Sequence, residues 1–248
     1  MSLTRPVWTS DVRGAMPSSF VLRPSSLRMR SRPEIISLLT RPGIVAVVRT
    51  DRREQIPSIC EGLLAGGVMA VEITLTVPNA IEVIREASRR FGSRALIGAG
   101  TVLDADACRS AIGAGAEFIV SPITKLEVLQ AAHASDLPVM LGAYTPTEAQ
   151  AAHEAGADFI KLFPADKLGP GYIRALRAPL PYLRLVPTGG VDLKNAGEFL
   201  AAGCAALGVG SSLITPEILR ASNWTELTRL AEAFVNIANS AGKKPQNS

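Results

Sequence analysis

The stretch EAGADFIKLFPAD, Glu154 to Asp166, holds a helix end and a buried strand with nothing between them. Glu154-Ala155-Gly156 reads as a helix C-terminus, because the left-handed turn that ends a helix is one that glycine adopts cheaply. Phe159 to Leu162 then reads as a strand. The same phrase, Ala-Gly-small and then an apolar run, recurs as LAGGVMAVEI from Leu64, GAGAEFIV from Gly113 and AAGCAALGV from Ala201. Each is a helix end that feeds directly into a strand.

Working outward, strand ends are expected near Arg49, Thr74, Gly98, Ser121, Gly142, Lys161, Thr188 and Gly208. They recur about every 23 residues, the length of one strand, one three-turn helix and two short loops. Helical patterns fill the gaps over Glu54–Ala65, Asn79–Phe91, Asp104–Ala114, Lys125–Ser135, Pro146–Ala155, Tyr172–Ala178 and Leu193–Ala202, with a last one at Trp224–Ala241. Unbroken βα units of this number predict an α/β fold, a (β/α)8 TIM barrel over residues 32–241. A leading helix at Arg32–Thr40 is expected to cover its floor. A doubly wound open sheet shows the same alternation, but even spacing favours closure. Residues 1–31, rich in Ser, Arg and Pro, are expected to form a poorly structured extension, and 242–248 a C-terminal tail.

At 47% hydrophobic, the 248-residue chain can bury a large single core. The formal net charge of +4 misleads, since residues 1–33 carry six arginines against one aspartate and the remainder is close to neutral. Nucleic-acid binding is therefore not expected. No apolar run reaches membrane-spanning length. The extension is Arg-rich and acid-poor like a transit peptide, but its prolines break an amphipathic helix, and it lacks the apolar core of a secretory signal. Cys60, Cys108 and Cys204 stand apart without CxxC spacing, which fits a reducing cytoplasm and argues against a disulfide framework. The two histidines, His133 and His153, fall in helical segments, and no HxH or HExxH occurs, so no metal is expected. Neither GxGxxG nor GxxxxGK[ST] is present, and no nucleotide cofactor is expected.

In such barrels chemistry gathers at the C-terminal strand ends. Glu117 and Asp158, at strand starts, read as bottom-face structure. Lys161 shares its strand face with Phe159 and Phe163, while Ile160 and Leu162 take the other. The outer face meets apolar helices, so the amine is expected to point into the barrel mouth, and Glu72 in AVEITLT has the same solution. The plain alternative is a buried ion pair bracing the barrel. Low-dielectric walls disfavour the ammonium and favour the free amine, which attacks ketones to form a Schiff base. The other lysines lie on helix ends, loops or the tail.

Loops after the seventh and eighth strands are the usual phosphate seat of this architecture. Gly189, Gly190, Gly210 and Ser211 are expected there, with backbone N–H groups facing an anion. Arg49 can bind a carboxylate by paired hydrogen bonds; its alternative is a salt bridge to Glu72.

These stretches together (VEITLTVP, LIGAGTVL, FIVSP, IKLFPAD, VPTGGV and GVGSSL, in this order between Pro42 and Leu213) resemble the 2-keto-3-deoxy-6-phosphogluconate (KDPG) and 4-hydroxy-2-oxoglutarate (KHG) aldolases of class I. The resemblance implies that Lys161 is the Schiff-base lysine and Glu72 the general acid/base. It implies that Arg49, Thr101 and Pro122 contact the keto-acid end, Thr188 the sugar-acid chain, and Gly189, Gly190, Gly210 and Ser211 the phosphate. It further implies a homotrimer acting on a phosphorylated keto acid without a cofactor. One departure stands out: some members carry an arginine shortly after the glutamate, where this chain has Thr76, while others use the strand-1 arginine. The threonine in VPTGGV leans towards the gluconate-type branch over the galactonate-type. Rival readings are KHG cleavage by the same chemistry, a phosphosugar isomerase or epimerase in which Lys161 acts without a covalent bond, and a non-catalytic binding barrel.

Overall fold

The computed structural model describes residues 30–241. The strands are β1 (Ile44–Val48), β2 (Ala70–Thr74), β3 (Leu96–Gly100), β4 (Phe118–Val120), β5 (Val139–Ala143), β6 (Phe159–Leu162), β7 (Leu185–Pro187) and β8 (Leu207–Val209). They pair in parallel in the order β7-β6-β5-β4-β3-β2-β1-β8. A single parallel bridge between Thr188 and Gly208 joins the two ends of that row. The expected barrel is what forms, and each strand end lies within two residues of its expected place. Residues 1–29 of the expected extension and the tail 242–248 lie outside the described residues.

The helices are α1 (Arg32–Leu39), α2 (Ile56–Ala65), α3 (Ala80–Phe91), α4 (Ala105–Gly113), α5 (Leu126–His133), α6 (Pro146–Glu154), α7 (Gly169–Arg177), α8 (Ala196–Ala201), α9 (Pro216–Ala221) and α10 (Trp224–Ala241). The repeat works as its chemistry demands: Gly67, Gly115, Gly156 and Gly203 all have positive φ, between 83° and 105°. In the first copy the turn falls on the second glycine, while Gly66 before it has φ of −84°. Some helix starts are capped by their own side chains. At α6 the Thr145 hydroxyl accepts from the Glu148 amide at 3.3 Å, and the Glu148 carboxylate accepts from the Thr145 amide at 2.8 Å.

Every strand of the ring is buried on both faces apart from Val47, as parallel strands covered by helices must be. On α10, Leu227, Leu230, Ala231, Phe234 and Ala238 make one buried stripe at helical spacing. It packs closely on α2, where a Cβ on Gly66 would come within 2.4 Å of the Ala231 Cβ.

The floor is closed by the start of the described chain. An Arg32 guanidinium nitrogen lies 2.8 Å from Asp158, and one of Arg30 lies 2.8 Å from Glu117, at the feet of β6 and β4. Asp158 also accepts the Val139 amide at 2.8 Å. The bottom-face reading of both acids holds. His133 belongs to the same cluster, 2.7 Å from Arg32, and His153 stacks near Tyr182, so both histidines are packing residues.

Candidate active site

The interior of the barrel is shaped by glycines that make room for neighbours' side chains. A Cβ on Gly98 would sit 2.3 Å from the Phe118 ring, and one on Gly208 would sit 2.2 Å from the Thr188 hydroxyl. A Cβ on Gly100 would come within 2.0 Å of Glu72 Oε1. Glycine inside a strand weakens it, so these are positions where close approach is required. Gly100 in particular gives the Glu72 carboxylate its place inside the ring.

Lys161 and Glu72 are 5% and 2% exposed. Lys161 Nζ lies 3.5 Å from Glu72 Oε1 and 5.3 Å from the centre of the Phe163 ring. The two residues come from β6 and β2 and point into the ring together, as expected. Among the described residues Glu72 Oε1 is buried and accepts no hydrogen bond. An ion pair built only for stability would saturate its oxygens, since an unsatisfied buried acceptor costs about 1–3 kcal/mol. Here one oxygen is held in reserve beside an amine.

A cavity of about 530 Å³ lies at the loops after β7 and β8; neither Lys161 nor Glu72 lines it, and Phe163 stands between it and the amine. It brings together Arg49, Thr188, Gly189, Gly190, Gly210 and Ser211, with Phe163 as the wall nearest the lysine. Gly189 and Gly190 have φ of 85° and 74°, a left-handed backbone that glycine adopts without strain. Gly190 has no room for a Cβ, which would lie 2.5 Å from Asp166 Cα. Among the described residues the amides of Gly190, Gly210 and Ser211 donate to no turn, cap or loop carbonyl, while the bridge between Thr188 and Gly208 engages the amide of Gly189. The helices after β7 and β8 have only six residues each, so neither supplies a long helix dipole to the cavity.

Arg49 is exposed and is the cation among the described residues lining the cavity. The alternative of a salt bridge to Glu72 is not realised: the partner of Glu72 is Lys161. Thr76 is exposed and engages Thr74, hydroxyl to hydroxyl at 2.8 Å. Thr101 and Pro122 follow β3 and β4 on the rim and do not line this cavity. Thr101 has φ of 59°, an outlier for a β-branched side chain and a conformation that its surroundings must hold in place. Pro122 backbone atoms occupy the space that a Cβ on Gly142 would need, and Gly142 pairs in register with Lys161. Pro122 therefore sits beside the lysine's strand.

Other nucleophiles are poor candidates. Burial pushes the Cys60 and Cys204 thiols up to about 12 and that of Cys108 to about 11. The described residues contain no cluster of His, Cys, Asp and Glu able to hold a metal, and no described helix is long and apolar enough to cross a membrane.

The model of the family described as "KDPG and KHG aldolase" matches residues 35–230, most of the chain. The chain belongs to the KDPG and KHG aldolase family. Within it, the chain is 34% identical over 198 residues to the 2-dehydro-3-deoxy-phosphogluconate aldolase of Pseudomonas aeruginosa, covering 79% of this chain and 90% of that one. It is 36% identical to the 2-dehydro-3-deoxy-6-phosphogalactonate aldolase of Escherichia coli, covering 79% and 94%. Among solved structures, the KDPG aldolase of Legionella pneumophila, with pyruvate captured as a covalent carbinolamine, superposes with a TM-score of 0.75 at 30% identity, over 80% of this chain and 97% of that one.

Several residues of this family member's cavity were not singled out from sequence. Ile214, Pro216 and Leu219 form one wall, and the last two lie on α9, which the strand-and-helix count passed over. The signal was present: Thr215 accepts from the Ile218 amide as an N-cap, and Pro216 stands at the first helical position. Ser212 and Asp192 also line the cavity.

Proposed function

We propose that this chain is a class I aldolase that cleaves 2-keto-3-deoxy-6-phosphogluconate into pyruvate and glyceraldehyde 3-phosphate, without metal or cofactor. The carrying observation is the buried amine of Lys161, 3.5 Å from a Glu72 oxygen that accepts no hydrogen bond among the described residues.

Lys161 Nζ attacks the C2 carbonyl, giving a carbinolamine that loses water to become an iminium. The Glu72 carboxylate takes the proton of the C4 hydroxyl. The electrons of the C3–C4 bond flow into the iminium, so the bond breaks, glyceraldehyde 3-phosphate departs and an enamine of pyruvate remains on Lys161. The Glu72 carboxyl returns its proton to C3, and water hydrolyses the resulting iminium to pyruvate and free lysine. One carboxyl thus acts first as base and then as acid. Arg49, Thr101 and Pro122 are assigned to the keto-acid end. Thr188 is assigned to the hydroxyl-bearing chain, and Gly189, Gly190, Gly210 and Ser211 to the phosphate.

The cavity with its uncommitted amides supports a phosphorylated substrate over 4-hydroxy-2-oxoglutarate. The C4-epimeric galactonate substrate is the second reading, supported by the likeness to the Escherichia coli enzyme. Thr188 in VPTGGV supports the gluconate reading.

We further assign a homotrimer and a cytoplasmic location. Leu103, Ile123 and Tyr144, which follow the adjacent strands β3, β4 and β5, are all more than two-fifths exposed, and Leu126 is 52% exposed beside them. Such an apolar arc fits a second copy of the chain.

Incubation with pyruvate and borohydride, digestion and weighing of the Lys161 peptide tests the chemistry. A reduced pyruvyl adduct is expected there. An unmodified peptide from an enzyme that still turns over a phosphosugar would favour the isomerase reading instead.

A further inference from the structure

An anion site made of backbone needs its N–H groups facing in and its carbonyl oxygens facing away. Glycines permit that geometry but do not select it, since a glycine loop can turn either group towards the cavity. Here four of the carbonyls in the two loops have protein partners. Thr188 C=O accepts the Ala165 amide at 2.9 Å, and Gly210 C=O accepts the amides of Leu213 and Ile214 at 3.0 and 2.9 Å. The two remaining restraints come from side chains. Asn195 Nδ2 donates to Gly190 C=O at 2.8 Å, while its Oδ1 accepts the Asp192 amide at 2.9 Å. The Ser212 hydroxyl donates to Val191 C=O, which ties the loop after β8 to the loop after β7.

We infer that Asn195 and Ser212 are positioning residues for phosphate: they hold the carbonyls of Gly190 and Val191, and Asn195 thereby fixes the peptide whose N–H is that of Val191, a residue of the cavity wall, so that this amide faces the anion. The inference rests on the proposed phosphorylated keto-acid substrate and deepens it. Without the Asn195 donor, the Gly190 carbonyl loses its partner and the Gly190–Val191 peptide can rotate, presenting the carbonyl in place of the Val191 amide at the phosphate. Ser212 has a separate duty. It sets the spacing between the two loops, across which one phosphate must be shared.

The test is a comparison of substrates in the full-length enzyme. Asn195→Ala and Ser212→Ala are each expected to raise KM for the phosphorylated keto acid by about tenfold, the order of one net hydrogen bond. The kcat, the yield of borohydride-trapped pyruvate on Lys161, and cleavage of unphosphorylated 4-hydroxy-2-oxoglutarate should stay within about twofold of wild type. Ser212→Thr, which restores the hydroxyl, should recover most of the loss. Equal losses on the phosphorylated and unphosphorylated substrates would mean a merely structural role and overturn the inference, as would an unchanged KM for the phosphorylated one. Thermal stabilisation by inorganic phosphate gives a readout independent of turnover. It should be present in wild type and reduced in both Ala variants. If wild type forms no pyruvyl adduct, the aldolase reading falls, while the phosphate shift still decides the positioning of the loops.

Discussion

The floor and the mouth of the barrel both keep charge away from water, and they do so differently. On the floor, Asp158 is saturated: Arg32 holds one oxygen, and the other accepts the Val139 amide. At the mouth, Glu72 is more deeply buried, yet its Oε1 accepts no hydrogen bond among the described residues and stands 3.5 Å from its amine. A saturated pair has no bonding capacity left and can only brace. An unsaturated one is less comfortable and available for reaction. The difference teaches that burial of a charged pair does not by itself distinguish structure from chemistry.

The comparison breaks most sharply at Lys161. Lys161→Ala should lower kcat/KM by about 10⁴-fold or more, and Glu72→Gln by about 10³-fold while still allowing some trapped pyruvate. Normal turnover by Glu72→Gln would remove its role as base and acid.

Asp158→Ala should show the opposite pattern. Removing one partner of a well-bonded buried pair costs about 3 kcal/mol, a fall of roughly 10 °C in Tm. The variant's kcat/KM, measured well below its melting point, should stay within about twofold of wild type. A large loss of activity in this variant would erase the division between floor and mouth.

The smallest effect is expected at Thr101, whose left-handed backbone is a local strain at the mouth. Thr101→Gly should relieve about 1 kcal/mol of it, seen as a Tm higher by a few degrees, while lowering kcat/KM through loss of the side chain. A variant that is both less stable and fully active would show that the strain serves neither purpose.

The barrel was legible in the sequence because its punctuation is local. A helix that ends on glycine and re-enters as an apolar strand needs no distant partner to be recognised, and the same phrase recurs around the ring. Lys161 and Glu72 were legible at one remove: each is a charge in an apolar strand, and the closed ring leaves the interior as the place for both. The glycines of LIGAGT mark close approach, although which side chain fills each gap depends on the register of β2 with β3 and of β3 with β4. α9 was passed over because six residues give no periodicity to read, despite the Thr-Pro start. Asn195 and Ser212 were not legible at all. Their effect runs through the direction of a neighbour's carbonyl, which no residue pattern records.

The ring is not equally strong all the way round. Its other neighbouring strands share at least two register pairs, whereas β7 and β8 meet at the one bridge between Thr188 and Gly208. The loops assigned to phosphate rise from either side of that seam. A bound phosphate would then act as a clasp on the weakest join, so that the enzyme tightens as its substrate arrives. Departure of the aldehyde would unfasten it, making product release and the slackening of the barrel a single event.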